Sequence, residues 1–130
     1  MDLFTTSLKL AGAAVPADRV IDGVDLTPIL FGAGPSHHEF FCYYRGTQLY
    51  ALRKGSFKAH FITRSAYGSD APVSHNPPLL FDLGHDAGEQ FNVAASHPDL
   101  LADVAKEVER HRATITPVKC QLEEDGTNGK

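Results

Sequence analysis

The chain has 130 residues, with 12 Lys or Arg against 16 Asp or Glu, and its formal net charge is -4 at pH 7. This length allows one domain with a substantial core, and the mild acidity without a basic stripe argues against a nucleic-acid partner. No stretch approaches the roughly 20 apolar residues that a membrane span requires.

The first predicted element is a short helix at the start of the chain. Apolar residues recur there at three- and four-residue spacings: Leu3, Phe4, Leu8 and Ala11. Gly12 can end this helix. Because so short a helix is marginal alone, we expect its apolar stripe to pack on a part of the protein outside these residues. Further along, Asp25 is expected to cap a single helical turn that ends before Gly32.

Four short strands are predicted next, and they are expected to pair antiparallel. Residues 40–45 (FFCYYR) are rich in β-favouring aromatics. Residues 49–63 form the pattern of a hairpin that turns at Lys54-Gly55-Ser56. In its second arm, alternation gives one core face and one mostly solvated face. The core face is Phe57, Ala59 and Phe61, and the solvated face is Lys58, His60 and Ile62.

The fourth strand is predicted after a long connection. Residues 64–78 are rich in Ser, Gly, Asp and Pro and indicate a loop of about 15 residues, near the upper limit for a connection without structure of its own. Pro77-Pro78 ends this loop. Residues 79–83 (LLFDL) then form the strand, with Leu79, Phe81 and Leu83 expected to face the core.

The last predicted element is a helix over about residues 98–112 with Ser96 as its cap. Its apolar stripe consists of Leu100, Leu101, Val104 and Val108. Glu107, Glu109 and Arg110 are expected to face solvent. The fold class is therefore α+β, a four-stranded antiparallel sheet with a C-terminal helix packed on it.

Seven histidines invite a metal or acid–base reading, but their spacing matches no zinc motif. Those expected to be structural or solvated are His37, His38, His60, His85, His97 and His111. His75 differs because it lies in the long predicted loop, two residues before the rigid Pro77-Pro78 pair. A small histidine-metal hydrolase would need at least three of these residues to converge. Asp86 is expected to accept backbone N–H bonds in the turn after the fourth strand rather than to bind a metal.

Four tracts, in order, resemble the C-terminal end of the sulfatases, in the branch of arylsulfatase A and N-acetylgalactosamine-6-sulfatase. They read MDLFTTSLKLAG, DGVDLTPIL, LYALRKGSFKAHF and HNPPLLFDLGHDAGEQFNV. The resemblance implies that residues 1–35 are the end of a catalytic α/β domain and a connection. Residues 36–116 would be the sulfatase C-terminal domain, and 117–130 a polar tail.

The resemblance also implies chemistry that lies outside this chain. Sulfatases hydrolyse sulfate esters with a formylglycine, made from the Cys or Ser of a C/S-x-P-x-R motif, and with calcium. Neither Cys42 nor Cys120 stands in that motif. We therefore expect no catalytic residue, metal ligand or cofactor in these residues. Calcium and formylglycine are expected in the catalytic domain, which normally shares the same polypeptide, in an exported, periplasmic or lysosomal enzyme.

What the resemblance does carry over is a substrate contact. A histidine just before the Pro-rich start of the last strand reaches the substrate pocket in the family, and His75 matches it by position. Asn76 and Tyr67 are weaker candidates for the pocket wall. The expected ligand is a sulfated small molecule or glycan. The alternative is a free-standing α+β interaction module, which would have to bury Leu3, Phe4 and Leu8 itself.

Overall fold

A computed structural model describes residues 1–32, 34–35, 37–65 and 70–116. The chain divides into two compact units, of which the first is Met1–Glu39 and the second begins at Phe40. The elements are α1 (Asp2–Leu10), α2 (Thr27–Leu30), β1 (Phe40–Arg45), β2 (Gln48–Lys54), β3 (Phe57–Thr63), β4 (Val73–Asp82), a 3-10 turn (Ala94–Ser96) and α3 (Pro98–Thr114). Tyr67, Cys120 and the predicted tail lie outside the described residues. In the part of the chain described, no helix is both long and apolar enough to span a bilayer.

In the first unit, α1 is held by its threonines rather than by its apolar stripe. Thr5 Oγ1 donates to the Gly23 carbonyl at 2.8 Å, and Thr6 Oγ1 accepts from the Leu26 N–H at 2.9 Å. Both threonines are buried, whereas Leu3 is 73% and Phe4 53% exposed. The predicted stripe thus exists on the helix, but this unit does not cover its first turn.

The ends of the two short helices differ slightly from the prediction. Ala11 is the C-cap of α1, and Gly12 follows it in the left-handed region at φ 66°. Leu26, not Asp25, is the N-cap of α2. Asp25 still binds the helix start, because its carboxylate accepts from both the N–H and the hydroxyl of Thr27 at 2.9 Å.

The second unit is the predicted four-stranded sheet. The strands pair antiparallel in the order β1-β2-β3-β4. Two-residue turns join the first three strands, and Gly46 and Gly55 adopt positive φ in them, as tight hairpins require. With α3 packed on one face, the sheet confirms the predicted α+β class.

The core lies between one sheet face and α3. Leu52, Ala59 and Leu80 are fully buried, and they pack with Val104 and Val108 of the helix. The expectation that Leu79, Phe81 and Leu83 face this core was wrong. Ala59 pairs with Leu80, so Leu80 shares the core face, while Phe81 is buried on the opposite one. The run LLF is apolar on both faces, and alternation therefore could not show which residue points inward.

The fourth strand begins six residues before Leu79. It starts at Val73, which pairs with Thr63, so residues 73–78 belong to the strand and the predicted loop of residues 64–78 was too long. Regular pairing is interrupted between the pairs Ile62–Ser74 and His60–Leu79. Two prolines without an N–H to donate occupy this irregular stretch, and the Asn76–Pro77 peptide is cis.

The C-terminal helix was predicted closely in extent but not in every contact. His97 is its N-cap, and Ser96 belongs to the preceding 3-10 turn. Glu107 is only 8% exposed, contrary to expectation. It accepts a hydrogen bond from Arg110 at 2.7 Å and lies 3.8 Å from Lys54 Nζ. Because Glu107 is one turn beyond Val104, it falls at the edge of the buried stripe.

Candidate functional site

His75 lies in the irregular stretch of β4 and is partly buried. Its Nε2 is 2.8 Å from Thr63 Oγ1, which fixes the ring against the end of β3. Asn76 is exposed beside it. Tyr67, the third predicted substrate residue, is outside the described part of the chain. The hairpin of β3 and β4 therefore positions His75, rather than the long loop that the sequence suggested.

A cavity of about 190 Å³ opens close to His75, on the sheet face opposite α3. Its lining residues are Tyr43, Tyr50, Ala51, Lys58, His60, Ile62, Thr63 and Arg64. Pairing of Tyr43 with Ala51 and of Ala51 with His60 places these three side chains on one face, and strand alternation adds Lys58 and Ile62 of β3. Thr63 belongs both to the cavity wall and to the His75 contact. The cavity was not predicted, because its residues come from three strands.

Glu89 contacts two of the residues that line the cavity, Lys58 and His60. Its two carboxylate oxygens lie 2.6 Å from Lys58 Nζ and 2.7 Å from His60 Nε2. The centroid of the Tyr43 ring lies 4.7 Å from Lys58 Nζ, and the rings of His60 and Phe81 form a T-shaped contact. The expectation that Lys58 and His60 are mostly solvated was wrong, since their side chains are only 17% and 16% exposed. The turn after β4 folds back over them.

Burial and neighbouring charges shift the pKa values of His60 and Glu89. Burial lowers the pKa of His60, and the nearby Glu89 charge opposes that effect only in part. For Glu89, burial acts to raise the pKa, but the Lys58 hydrogen bond and the His60 and Lys58 charges outweigh it and hold the pKa below its usual range. The Lys58–Glu89 ion pair is therefore formed at neutral pH.

Arg64 differs from Lys58 because its charge meets only a neutral group. Its Nε donates to the Asp70 carbonyl at 2.7 Å. Among the described residues, no ion pair includes its guanidinium. The cavity therefore carries positive charge that the described side chains do not neutralise.

Four of the remaining histidines have separate structural partners. His38 is paired with Asp2 at 2.9 Å and His85 with Asp82 at 2.7 Å. His97 packs on the Phe57 ring. His111 was expected only to complement the helix dipole, but its ring packs on two aromatic rings of β1, those of Phe40 and Tyr44. Within residues 1–32, 34–35, 37–65 and 70–116, no three His, Cys, Asp or Glu side chains form a group that could hold a metal ion.

Two further sequence expectations concern single residues of the sheet unit. Asp86 Oδ2 accepts from the N–H groups of Gln90 and Phe91, both at 2.8 Å, which confirms its role in the turn. Cys42 is partly buried and packs against the core, as predicted for a structural thiol. Neither residue belongs to the cavity.

The comparisons with known proteins agree on one family. The family model for the C-terminal region of aryl-sulfatase matches residues 36–128. N-acetylgalactosamine-6-sulfatase of Canis lupus familiaris is 39% identical over 145 aligned residues, covering 94% of this chain and 28% of that protein. Arylsulfatase A of Bos taurus is 37% identical, covering 85% of this chain and 25% of that protein. The chain thus spans about a quarter of the length of these relatives.

Solved structures give the same result for the fold. The PsFucS1 sulfatase from Pseudoalteromonas sp. aligns with a TM-score of 0.74 and 26% identity, covering 87% of this chain and 25% of that one. Ps i-CgsB in complex with k-i-k-neocarrahexaose aligns with a TM-score of 0.61 and 26% identity, covering 84% of this chain and 23% of that one.

Proposed function

This chain belongs to the sulfatase family, of which it carries the C-terminal region, and from that premise we propose that it completes the substrate cleft of a catalytic sulfatase domain. The observation that carries the proposal is the match over residues 36–128 in a chain that spans about a quarter of its relatives. The catalytic domain, normally in the same polypeptide, supplies the hydrolysis of the sulfate ester.

The cofactors of that reaction belong to the catalytic domain. Calcium requires several converging oxygen ligands, and the described residues offer no group of three acidic, His or Cys side chains. Formylglycine requires a Cys or Ser in its motif, whereas Cys42 is packed against the core beside aromatic neighbours. These residues do not fit either group, so none of them is assigned a step that involves one.

The contribution of this chain is a substrate contact by His75. Thr63 orients the imidazole through Nε2, which leaves Nδ1 to meet a sulfate oxygen or a sugar hydroxyl. Asn76 is exposed beside it and can extend the same contact. A histidine held this way binds and orients the ester, while bond cleavage takes place on the catalytic domain.

Exposure of α1 favours this proposal over the free-standing module. Such a module would bury Leu3, Phe4 and Leu8, yet Leu3 and Phe4 are 73% and 53% exposed and Leu8 is only partly buried. We propose that the catalytic domain covers them.

The experiment is steady-state kinetics of the full-length enzyme that contains this chain, with p-nitrophenyl sulfate as substrate. His75→Ala is expected to lower kcat/KM by about tenfold, the effect of losing one hydrogen bond to a charged group. His85→Ala is the control, because His85 is 90% exposed in a turn away from the cavity. Equal kinetics of wild type and His75→Ala, with both folded, would remove the substrate role.

A further inference from the structure

We propose that the cavity on the sheet face opposite α3 is a binding subsite for a sulfate or carboxylate group carried on a sugar ring. The inference rests on the proposed function, because it gives a glycan-acting sulfatase a second contact with its substrate. It goes beyond His75, which does not line the cavity.

The charge of Arg64 supports this proposal. Lys58 already has a carboxylate partner at 2.6 Å, so its charge is largely compensated. Arg64 has only the Asp70 carbonyl, and a single N–H of its guanidinium makes that bond. The guanidinium has five N–H donors in a planar fork that matches carboxylate and sulfate oxygens. An anion in the cavity would satisfy donors that the described residues leave to solvent.

The aromatic side chains that line the cavity also support this proposal. Tyr43 and Tyr50 line the cavity with partly apolar rings that carry polar hydroxyls. The Tyr43 ring is fixed by Lys58 Nζ, 4.7 Å from its centroid, and by a T-shaped contact with Phe41 at 4.9 Å between centroids. A preformed aromatic wall with a few polar groups is what ligand sites commonly share.

The volume of the cavity limits the size of the ligand that it can hold. The volume of about 190 Å³ equals that of roughly six water molecules in the liquid. This space holds one sugar ring with a charged substituent, and it does not hold an oligosaccharide. The occupant is therefore a single anionic ring of a longer glycan.

Position connects the cavity to the substrate contact. Thr63 lines the cavity, and its hydroxyl is 2.8 Å from His75 Nε2. A glycan whose reactive sulfate ester lies against His75 would place a neighbouring ring at the cavity. Arg64 would then select substrates that carry a second negative group.

The test is a titration of the 15N-labelled 130-residue chain, followed by amide chemical shifts. The probes are N-acetylgalactosamine 6-sulfate, N-acetylgalactosamine and sodium sulfate at matched ionic strength. The sulfated sugar is expected to shift the amides of Ala51, Ile62 and Thr63 in a saturable way. The uncharged sugar and sulfate alone are each expected to bind at least about fivefold more weakly, because each lacks one half of the contact.

Two arginine variants form a matched pair. Arg53 and Arg64 each donate Nε to a backbone carbonyl at the sheet surface, but only Arg64 lines the cavity. Arg64→Gln is expected to weaken the sulfated sugar by about tenfold, and Arg53→Gln by less than about twofold. Equal weakening by both variants, or no saturable shift at the cavity, would overturn the proposal. Sulfate binding as tightly as the sulfated sugar would overturn the sugar part.

The outcome is separable from that of the proposed function. p-Nitrophenyl sulfate carries no second anionic group, so its kcat/KM reports on His75: His75→Ala should lower it, whereas Arg53→Gln, outside the cavity, should leave it unchanged. If the chain does not bind the sulfated sugar but His75→Ala lowers kcat/KM, the subsite proposal is wrong and the proposed function stands. If the chain binds the sulfated sugar but His75→Ala leaves kcat/KM unchanged, the substrate role of His75 is wrong and the sugar-binding cavity stands.

Discussion

Glu89 is the residue on which the polar face of the sheet depends. It adopts φ 53°, a left-handed conformation that costs a non-glycine residue about 1–2 kcal/mol. Its contacts with Lys58 and His60 offset that cost, because both side chains are largely buried and would otherwise face no carboxylate. Glu89 thereby holds in place Lys58 and His60, two residues that line the cavity.

Glu89→Gln is expected to lower the free energy of unfolding at pH 7 by about 2 kcal/mol, because a largely buried cation loses its charged partner. Urea unfolding followed by circular dichroism measures this change. Glu109→Gln is the matched control, since Glu109 is 75% exposed and pairs with Arg112 on the surface of α3. The control is expected to cost less than about 0.5 kcal/mol.

The effect of Glu89 should also depend on pH. Its pKa is held below its usual range, mainly by Lys58 and His60 acting against burial. An acid with a lowered pKa stabilises the fold above its unfolded value, about 4.3, and this contribution is lost as pH falls through the folded value. The difference between wild type and Glu89→Gln should therefore be largest near neutrality and shrink in acid. An undiminished difference at pH 3 would contradict the ion-pair account.

At the scale of the element, β4 shows where a periodic pattern is informative and where it fails. Helix α3 has one exposed side, so its 3.6-residue period gave both its extent and its buried valines. Both faces of β4 are covered only near Leu79, Leu80 and Phe81, and this LLF run has no alternation to follow. The prolines also concealed its first half, because prolines usually mark the outside of a strand.

Two leucines of β4 test which face is the core. Leu80 is fully buried against Ala59 and α3, whereas Leu79 is only partly buried on the other face. Leu80→Ala is expected to cost about 2–5 kcal/mol of unfolding free energy, and Leu79→Ala clearly less. Urea midpoints of the two variants provide the measurement. A larger loss of unfolding free energy for Leu79→Ala than for Leu80→Ala would contradict the assignment of Leu80 to the core face.

At the scale of the whole molecule, the order of strands and the C-terminal helix could be predicted from local pattern. The Lys58–Glu89 ion pair could not, because its partners are 31 positions apart and neither position has an unusual neighbourhood in the sequence. The same holds for the Thr63–His75 contact, which forms only when β3 and β4 pair. Local sequence determines elements, whereas this site arises from their pairing.

We propose that a catalytic domain meets this chain at two places. One is the exposed face of α1, with Leu3 and Phe4, and the other is the region of His75. About three quarters of the length of the relatives lies outside the aligned part, which is sufficient for such a domain.

The most direct measurement is a crystal structure of the complete enzyme with a bound sulfated ligand that is not turned over. We expect a ring nitrogen of His75 to lie about 3 Å from a ligand oxygen, and the catalytic domain to cover Leu3 and Phe4. A His75 ring that is remote from the ligand, on a face of the sheet turned away from the active site, would contradict the cleft-completing role.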